Sequence, residues 1–449
     1  MKFVKDKSFY ITLAAIAFPV ALQNLIGFGV NMTDTLMVGA LGEAQLSAVS
    51  LANQPFFIFN ILTFGVSSGI SVLTAQYWGK GDILSIRKSF AIALDVAIVL
   101  SFVFFVLTFF FPRAVMSLYS NEEQIITLGA QYLKILSVAF VCYGITNTYL
   151  SVLRSVEVVR IQLLVYGISF LVNVVVNYVL IFGKLGFPAL GVRGAATGTV
   201  IARIAEVIIV LIYRAFFEQK VQLRIADLLR IDTVLLRDYL RHGMPVLFNE
   251  LLWSVGMSLQ SMIIGRIGSD FVAANSIVGV VQQLTTVIIF GISSAAAVVV
   301  GKAVGTGKNE YVRRCADTLL VLSVGVGLIG AAIMYLLRGI AIGFYNVPET
   351  TKLIANSLMI VAAVNLFFVS ICSINLVGTL RGAGDTRFVF VVDTILIWAL
   401  SAPLGMLSGW VLGWPAWAVF ICLRIDEPLK ALAITIRLKG QKWINNVTR

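Results

Sequence analysis

Phe64-Gly65-Val66-Ser67-Ser68 returns 226 positions later as Phe290-Gly291-Ile292-Ser293-Ser294, and the match runs without a gap over residues 19–81 and 245–307. Pro19 falls on Pro245, Gly39 on Gly265, Gly42 on Gly268, Ala48 on Ala274, and Gly79-x-Gly81 on Gly305-x-Gly307. Within this window 14 of 63 aligned pairs are identical. With a shift of 227, Leu153-Arg154 falls on Leu380-Arg381 and Arg160 on Arg387. Prolines and glycines fix backbone geometry, so their coincidence says more than shared apolar composition. The chain reads as two copies of one unit.

The unit is a membrane bundle. Apolar residues make up 59 % of the 449 positions and charged residues 12 %, with mean hydropathy +0.95. Soluble domains carry roughly 25 % charge, so this chain has too few charges to solvate a globular surface. Apolar runs of about 20 residues, such as 90–111, 163–182 and 319–337, recur along its length, each long enough for a hydrocarbon core of about 30 Å. Helices satisfy their own backbone in lipid, and runs this long do not suit a barrel. The expected fold is all-α, with twelve spans near 9–38, 46–77, 89–111, 124–150, 161–182, 193–217, 237–264, 271–303, 314–337, 351–379, 387–408 and 414–437. The first is read as a span, not a cleaved leader.

Charge orients the bundle. Of 34 Lys and Arg, 26 fall in the two terminal stretches and one set of alternate loops, among them Lys80, Arg154, Arg214, Lys302, Lys308, Arg381 and Arg437. That bias places both termini in the cytoplasm. The net charge of +12 then reflects this bias and attraction to anionic lipid, not nucleic-acid binding. Residues 214–236 alternate basic, acidic and apolar side chains, as in an amphipathic linker on the cytoplasmic surface. The expected division is an N-lobe over 1–213, this linker, and a C-lobe over 237–449. Six spans per lobe return the chain to its starting side, so the repeat is parallel, an arrangement found in transporters.

Four scattered cysteines form neither a disulfide framework nor a zinc site. His242 is the only histidine, and no nucleophile–base or paired-carboxylate arrangement appears, so an enzyme is not expected. Gly79/Gly81 and Gly301–Lys308 are expected as tight turns; the latter lacks the order and preceding strand of a phosphate loop.

The informative side chains are ionisable groups inside the spans, each costing on the order of 3 kcal/mol at a helix centre. Arg203 with Glu206, Asp317 with Arg313, and Arg424 with Asp426 and Glu427 have local partners available. Asp95 has no assigned role, and Lys134 is expected at a cavity or a carboxylate. Asp34 and Glu250 have no basic residue within four positions, and each follows a helix proline, Pro19 or Pro245, that permits a bend. A desolvated carboxylate can take up H⁺ or Na⁺, so both are coupling candidates. Asp34 aligns with Gln260 and Glu250 with Asn24, which suggests that the two lobes divide the work unequally. Asn173 and Asn177, four apart on one helical face, and Thr199 on the next span would complete a polar pocket around Asp34.

These features resemble the multidrug and toxic compound extrusion (MATE) transporters over residues 9–443. The likeness rests on Pro19, Asp34-Thr35-Leu36-Met37-Val38-Gly39, the paired glycines, Asn173-x-x-x-Asn177 before Ile181-Phe182-Gly183, Gly194-Ala195-Ala196 with Thr199, and Leu380-Arg381-Gly382-Ala383-Gly384-Asp385-Thr386-Arg387. It implies a monomeric antiporter in the cytoplasmic membrane, driven by H⁺ or Na⁺, that exports small amphipathic or cationic compounds and has membrane lipids around it. No cofactor is implied beyond possible Na⁺ as coupling ion. The resemblance is closer to the DNA-damage-inducible branch than to the NorM-like one; in the former an aspartate at the place of Asp34, assisted at the places of Asn173 and Thr199, couples transport. That branch often has an aspartate where this chain has Asn177. The NorM-like branch uses an aspartate where Ser370 stands, which leaves Glu250 and Asp393 as the acidic candidates of the C-lobe. Phe56, Phe57 and Trp253 are candidate lining of a cavity between the lobes, and Pro19 a candidate hinge. The alternative is a lipid-linked oligosaccharide flippase of the same superfamily.

Overall fold

A computed structural model describes residues 3–222, 232–345, 347–440 and 442–448. Every expected span is found as helix: Lys7–Gly39, Glu43–Lys80, Ile83–Phe110, Glu123–Ser155, Arg160–Phe182, Val192–Phe216, Thr233–Ile267, Ser269–Gly305, Asn309–Gly343, Glu349–Leu380, Thr386–Val411, and Ala416–Arg424 continued by Asp426–Lys439. Ten of these described helices are long and apolar enough to cross a membrane. Of the remaining two, Thr233–Ile267 is continuous but carries Arg237, Asp238, Arg241 and Glu250, and the last is split into helices of 9 and 14 residues with Arg424, Asp426, Glu427 and Lys430 about the break. The chain is a multi-pass, all-helical membrane protein.

Local chemistry sets the helix ends. Asp82 caps span three, its carboxylate accepting from the Ser85 amide at 3.0 Å. Gly183 ends span five in the left-handed region at φ 65°, where a side chain would also strike Ala189. Span ten winds into a π-helix over Ser373–Leu380, with the Thr379 hydroxyl reaching back to the Ile374 carbonyl at 3.3 Å.

The paired glycines differ from the turns expected. Gly81 and Gly307 are turn residues, at φ 80° and 74°. Gly79, Gly301 and Gly305 lie inside helices, as packing positions. A Cβ on Gly79 would sit 2.0 Å from the Lys302 carbonyl oxygen, and one on Gly305 would sit 1.9 Å from that of Gln76. Gln76 and Lys302 are themselves 226 apart, so the crossing maps onto itself when the repeats are exchanged. This is the signature of an isologous contact about a pseudo-two-fold axis. A missing side chain on each helix lets the two backbones touch.

The chain packs as two compact units. One comprises Met1–Ala21, Ser71–Gly81 and Leu240–Arg449; the other comprises Leu22–Ile70 and Asp82–Tyr239. The division by packing therefore differs from the division along the chain, because the start of span one and the end of span two lie with the second repeat. In the first unit, Gly291 admits the Ala17 carbonyl, and the Val4 amide donates to the Thr318 hydroxyl at 3.0 Å. The second unit is centred on span four, whose Leu133, Leu136 and Ala139 are fully enclosed, with Phe59, Phe140 and Tyr143 forming an edge-to-face cluster. Of the expected linker, residues 223–231 lie outside the described residues. On either side of them, Glu218 caps the Val221 and Gln222 amides, and Lys88 pairs with Asp232 at 3.0 Å.

Candidate cation site

Asp34 lies on span one, fifteen residues beyond Pro19, whose missing N–H leaves one rung of the helix unmade. The structure brings it together with the expected asparagines. The Asn177 amide donates to Asp34 Oδ1 at 2.7 Å and to Asn173 Oδ1 at 3.3 Å, and both asparagines are buried. Their four-residue spacing on span five puts the two heads in line. Asn177 Oδ1 has no donor of its own, so the pocket keeps a buried oxygen with unused lone pairs. No Lys or Arg pairs with Asp34 among the described residues. Arg203 is the cation whose field reaches it, but that guanidinium is committed to Glu206 at 2.6 Å.

Span six builds the far wall. Gly194 and Gly198, one turn apart, let span five approach closely: a Cβ on Gly194 would meet the Leu180 carbonyl at 2.6 Å, and one on Gly198 would meet Asn177 Oδ1 at 1.9 Å. Thr199 donates to the Ala195 carbonyl at 3.1 Å and lies beside the Tyr132 hydroxyl, which also donates to Asn53 at 3.2 Å. Tyr132 and Gly198 are therefore part of this site, although sequence reading did not select them. The small-x-x-x-small spacing of Gly194 and Gly198 was the available signal. Below them, Glu206 accepts from Arg203 and from the Ser169 hydroxyl at 2.6 Å, and Arg203 packs over Tyr143 and Phe56 at 5.0 and 5.8 Å.

The acidic candidates of the second repeat are held differently. Glu250 lacks a basic neighbour in sequence, yet Arg381, 131 residues away, pairs with it at 2.8 Å, both side chains largely buried. Asp393 pairs with Lys430 at 2.6 Å, and Lys430 also meets Asp426 at 2.7 Å and Glu427 at 3.5 Å. Glu250 thus has a basic partner, which corrects its reading as a lone acid, and Asp393 shares one lysine with Asp426 and Glu427. Gln260, the repeat mate of Asp34, donates to the Leu423 carbonyl at 3.0 Å and joins helices. Ser370 is buried and donates to the Ser323 carbonyl at 2.8 Å. Lys134 lies over the Phe109 ring at 5.3 Å, not against a carboxylate. Of the aromatics, Phe56 is packed into the ring cluster, whereas Phe57 and Trp253 are exposed. No group of three or more His, Cys, Asp or Glu side chains suited to a metal ion occurs among the described residues.

The MatE family model matches residues 19–179 and again 245–407, opening each time on the proline that opens the internal repeat. The chain belongs to the MatE family. Proteins named "Probable multidrug resistance protein NorM" from Thermotoga maritima and Agrobacterium fabrum are each 27 % identical to it, over 89 % and 94 % of this chain and 88 % and 92 % of theirs. A multidrug resistance MATE transporter solved in an outward-facing conformation superposes with TM-score 0.87 at 18 % identity, covering 98 % of this chain and all of that one. A Vibrio cholerae MATE transporter mutant gives the same TM-score at 15 % identity, covering 96 % of each chain. These likenesses confirm the all-helical fold. The relatives carry NorM names, so they do not support the expected closeness to the DNA-damage-inducible branch. MatE proteins are transporters, and this chain is not read as an enzyme.

Proposed function

We propose that this MatE-family chain is a cation-coupled antiporter that exports small amphipathic or cationic compounds by alternating access. One observation carries the reading. Among the acids singled out above, Asp34 is held by a neutral amide, while Glu250, Asp393 and Glu206 each have a cationic partner. An acid already neutralised by Arg or Lys gains little from taking up a cation. An acid facing amide and hydroxyl groups changes its net charge when it does, and that change can tip a two-state bundle.

Asp34, Asn173, Asn177 and Thr199 supply hard oxygen atoms of the kind that suit Na⁺, and the carboxylate alone suits H⁺. Pro19 is the proposed hinge. At 100 mV each charge moved supplies about 2.3 kcal/mol. That sustains a gradient of roughly 40-fold per coupled charge. Placement in the cytoplasmic membrane with both termini inside, function as a monomer, and substrates of the drug class belong to this same reading; the relatives' names and the charge bias support it. A flippase for pyrophosphate-linked lipid would call for unpaired cations in the pocket, and Arg203 is spent on Glu206.

The test is dye efflux from proteoliposomes with pH and Na⁺ gradients imposed separately. The native chain should respond to one of them. Asp34→Asn should abolish efflux with its melting temperature retained, and full efflux by that variant would remove Asp34 from the mechanism.

A further inference from the structure

At the end of the bundle bearing Lys80, Lys302 and Arg381, the side chain of Gln76 is fully enclosed within the first unit. Its amide nitrogen donates to the Gly382 carbonyl at 3.3 Å and the Asn445 carbonyl at 3.2 Å, and its amide oxygen accepts from the Val447 amide at 2.8 Å. The 443–448 segment is itself docked on the loop that Gln76 grips. The Asn445 amide donates to the Ala383 carbonyl at 2.9 Å, and Trp443 is completely buried. Gly384, at φ 84°, has no side chain where a Cβ would strike the Asn445 carbonyl at 2.6 Å. Arg437 ties the same loop at Asp385, 2.8 Å away, and donates to the Lys442 carbonyl at 3.3 Å. Burial raises the Asp385 carboxyl above its ordinary range, against the opposing pull of Arg437.

We propose that residues 443–448 are a conformational latch, which grips Gln76 to hold this end of the transporter closed and is released when the end opens. Gln76 belongs to the first repeat, whereas the loop 380–385 and the 443–448 segment belong to the second. When the repeats part here, the three bonds to Gln76 break, together with the Gly79–Lys302 and Gly305–Gln76 contacts. The glycine crossing is symmetric under repeat exchange. The grip on Gln76 is not, because its repeat mate is Lys302, which carries no amide. The latch therefore biases one end of the transport cycle. Its direction rests on the alternating-access reading above; its existence does not.

The experiment uses the full chain in nanodiscs, with spin labels at Lys80→Cys and Lys308→Cys, both exposed. The four native cysteines are replaced by Ala, and distance distributions are read by double electron–electron resonance. Gln76→Leu removes the grip. Val447→Pro, outside the helices, removes one donor N–H and leaves Gln76 in place. Gln76→Leu should raise the ratio of long to short distances by roughly ten- to a hundredfold, as the net strength of two or three hydrogen bonds implies, and Val447→Pro by roughly fivefold, as the loss of one implies. The double variant should add little. Unchanged distributions in both single variants would overturn the latch. So would a shift in Gln76→Leu with Val447→Pro silent, since Gln76 would then act by packing alone. If the distributions shift while the native chain shows no efflux under either a pH or a Na⁺ gradient, the latch stands and the antiporter reading falls.

Discussion

Gly198→Ala is the sharpest probe of the cation site, because it alters a residue with no chemistry of its own. The new Cβ would lie 1.9 Å from Asn177 Oδ1, 3.0 Å from its Cγ and 3.2 Å from its backbone nitrogen. Rotating the amide head clears the first contact; the other two are met by a shift of a few tenths of an ångström between spans five and six. Overpacking of this kind costs about 1–3 kcal/mol. Rotation also removes the Asn177 donation to Asp34, and a hydrogen bond to a charged group is worth about 1.5–3 kcal/mol. That second quantity appears in function as a change of roughly ten- to a hundredfold in apparent affinity for the coupling ion. The direction identifies the ion. Na⁺ would bind more weakly, having lost an amide neighbour, whereas H⁺ would bind more tightly, no longer competing with the amide N–H for the carboxylate. The assay is proteoliposome efflux against graded Na⁺ at fixed pH, then against graded pH without Na⁺. Gly194→Ala is the control: its Cβ would strike the Leu180 carbonyl at 2.6 Å and disturb the same helix pair without touching the Asn177 head. If both variants lose stability equally and neither changes the ion dependence, the idea that Gly198 seats the amide on Asp34 is refuted.

Removing one partner from the buried Arg381–Glu250 pair should cost about 3–5 kcal/mol, so Arg381→Met should melt well below the parent in detergent, and adding Glu250→Gln should restore most of the loss. Lys430→Met strands Asp393, Asp426 and Glu427 together and should be more damaging than Asp393→Asn, as measured by the yield of monodisperse protein. Gly79→Ala and Gly305→Ala should each cost about 1–3 kcal/mol and agree with one another, because the crossing is symmetric; a large difference in their melting shifts would contradict the pseudo-two-fold contact. Asp232 is held below the usual carboxylate range, chiefly by its hydrogen bond to Lys88. Its contribution is present at neutral pH and fades as pH falls through that depressed value. Since the pair is partly exposed, Lys88→Met should cost under about 1 kcal/mol at pH 7 and nothing in strong acid, as read from melting against pH.

The expected helical spans and the doubled unit were legible because both are written locally, in runs of apolar residues and in the positions of proline and glycine. Asp34 was legible in part: Asn173 and Asn177 share one helix face and so announce a polar pocket, but that Asn177 meets Asp34, 143 residues away, is settled only by the fold. Glu250 was misread because its partner, Arg381, is remote in sequence. A buried acid can be called unpaired only after the whole fold has been searched, and a four-residue window searches one face of one helix. The packing units were illegible for a different reason. Residues 71–81 are first-repeat in sequence but lie against the second, through glycines whose absent side chains say that something approaches without saying what.

Divergence between the repeats turns out to be the more informative signal. Where duplicated positions keep the same residue, as at Gly79 and Gly305, both copies serve one symmetric contact. Where they differ, each copy has been fitted to a separate task. Gln260 joins helices where Asp34 holds an ionisable group beside neutral amides. Gln76 grips a backbone segment that its mate Lys302, a cation without an acceptor, has no means to hold in the same way. Two-fold symmetry favours neither end of such a bundle over the other, and a transporter needs that balance broken by charge at one site and by hydrogen bonding at one end. Asp34 and Gln76 are the two positions proposed to do so, and they lie in one copy of the repeat. If the first copy carries both devices, exchanging Asp34 with its mate, as Asp34→Gln together with Gln260→Asp, should leave the helices folded but fail to restore ion-driven efflux. The new aspartate would face the Leu423 carbonyl, an acceptor opposed to an acceptor, with no amide pair to receive it.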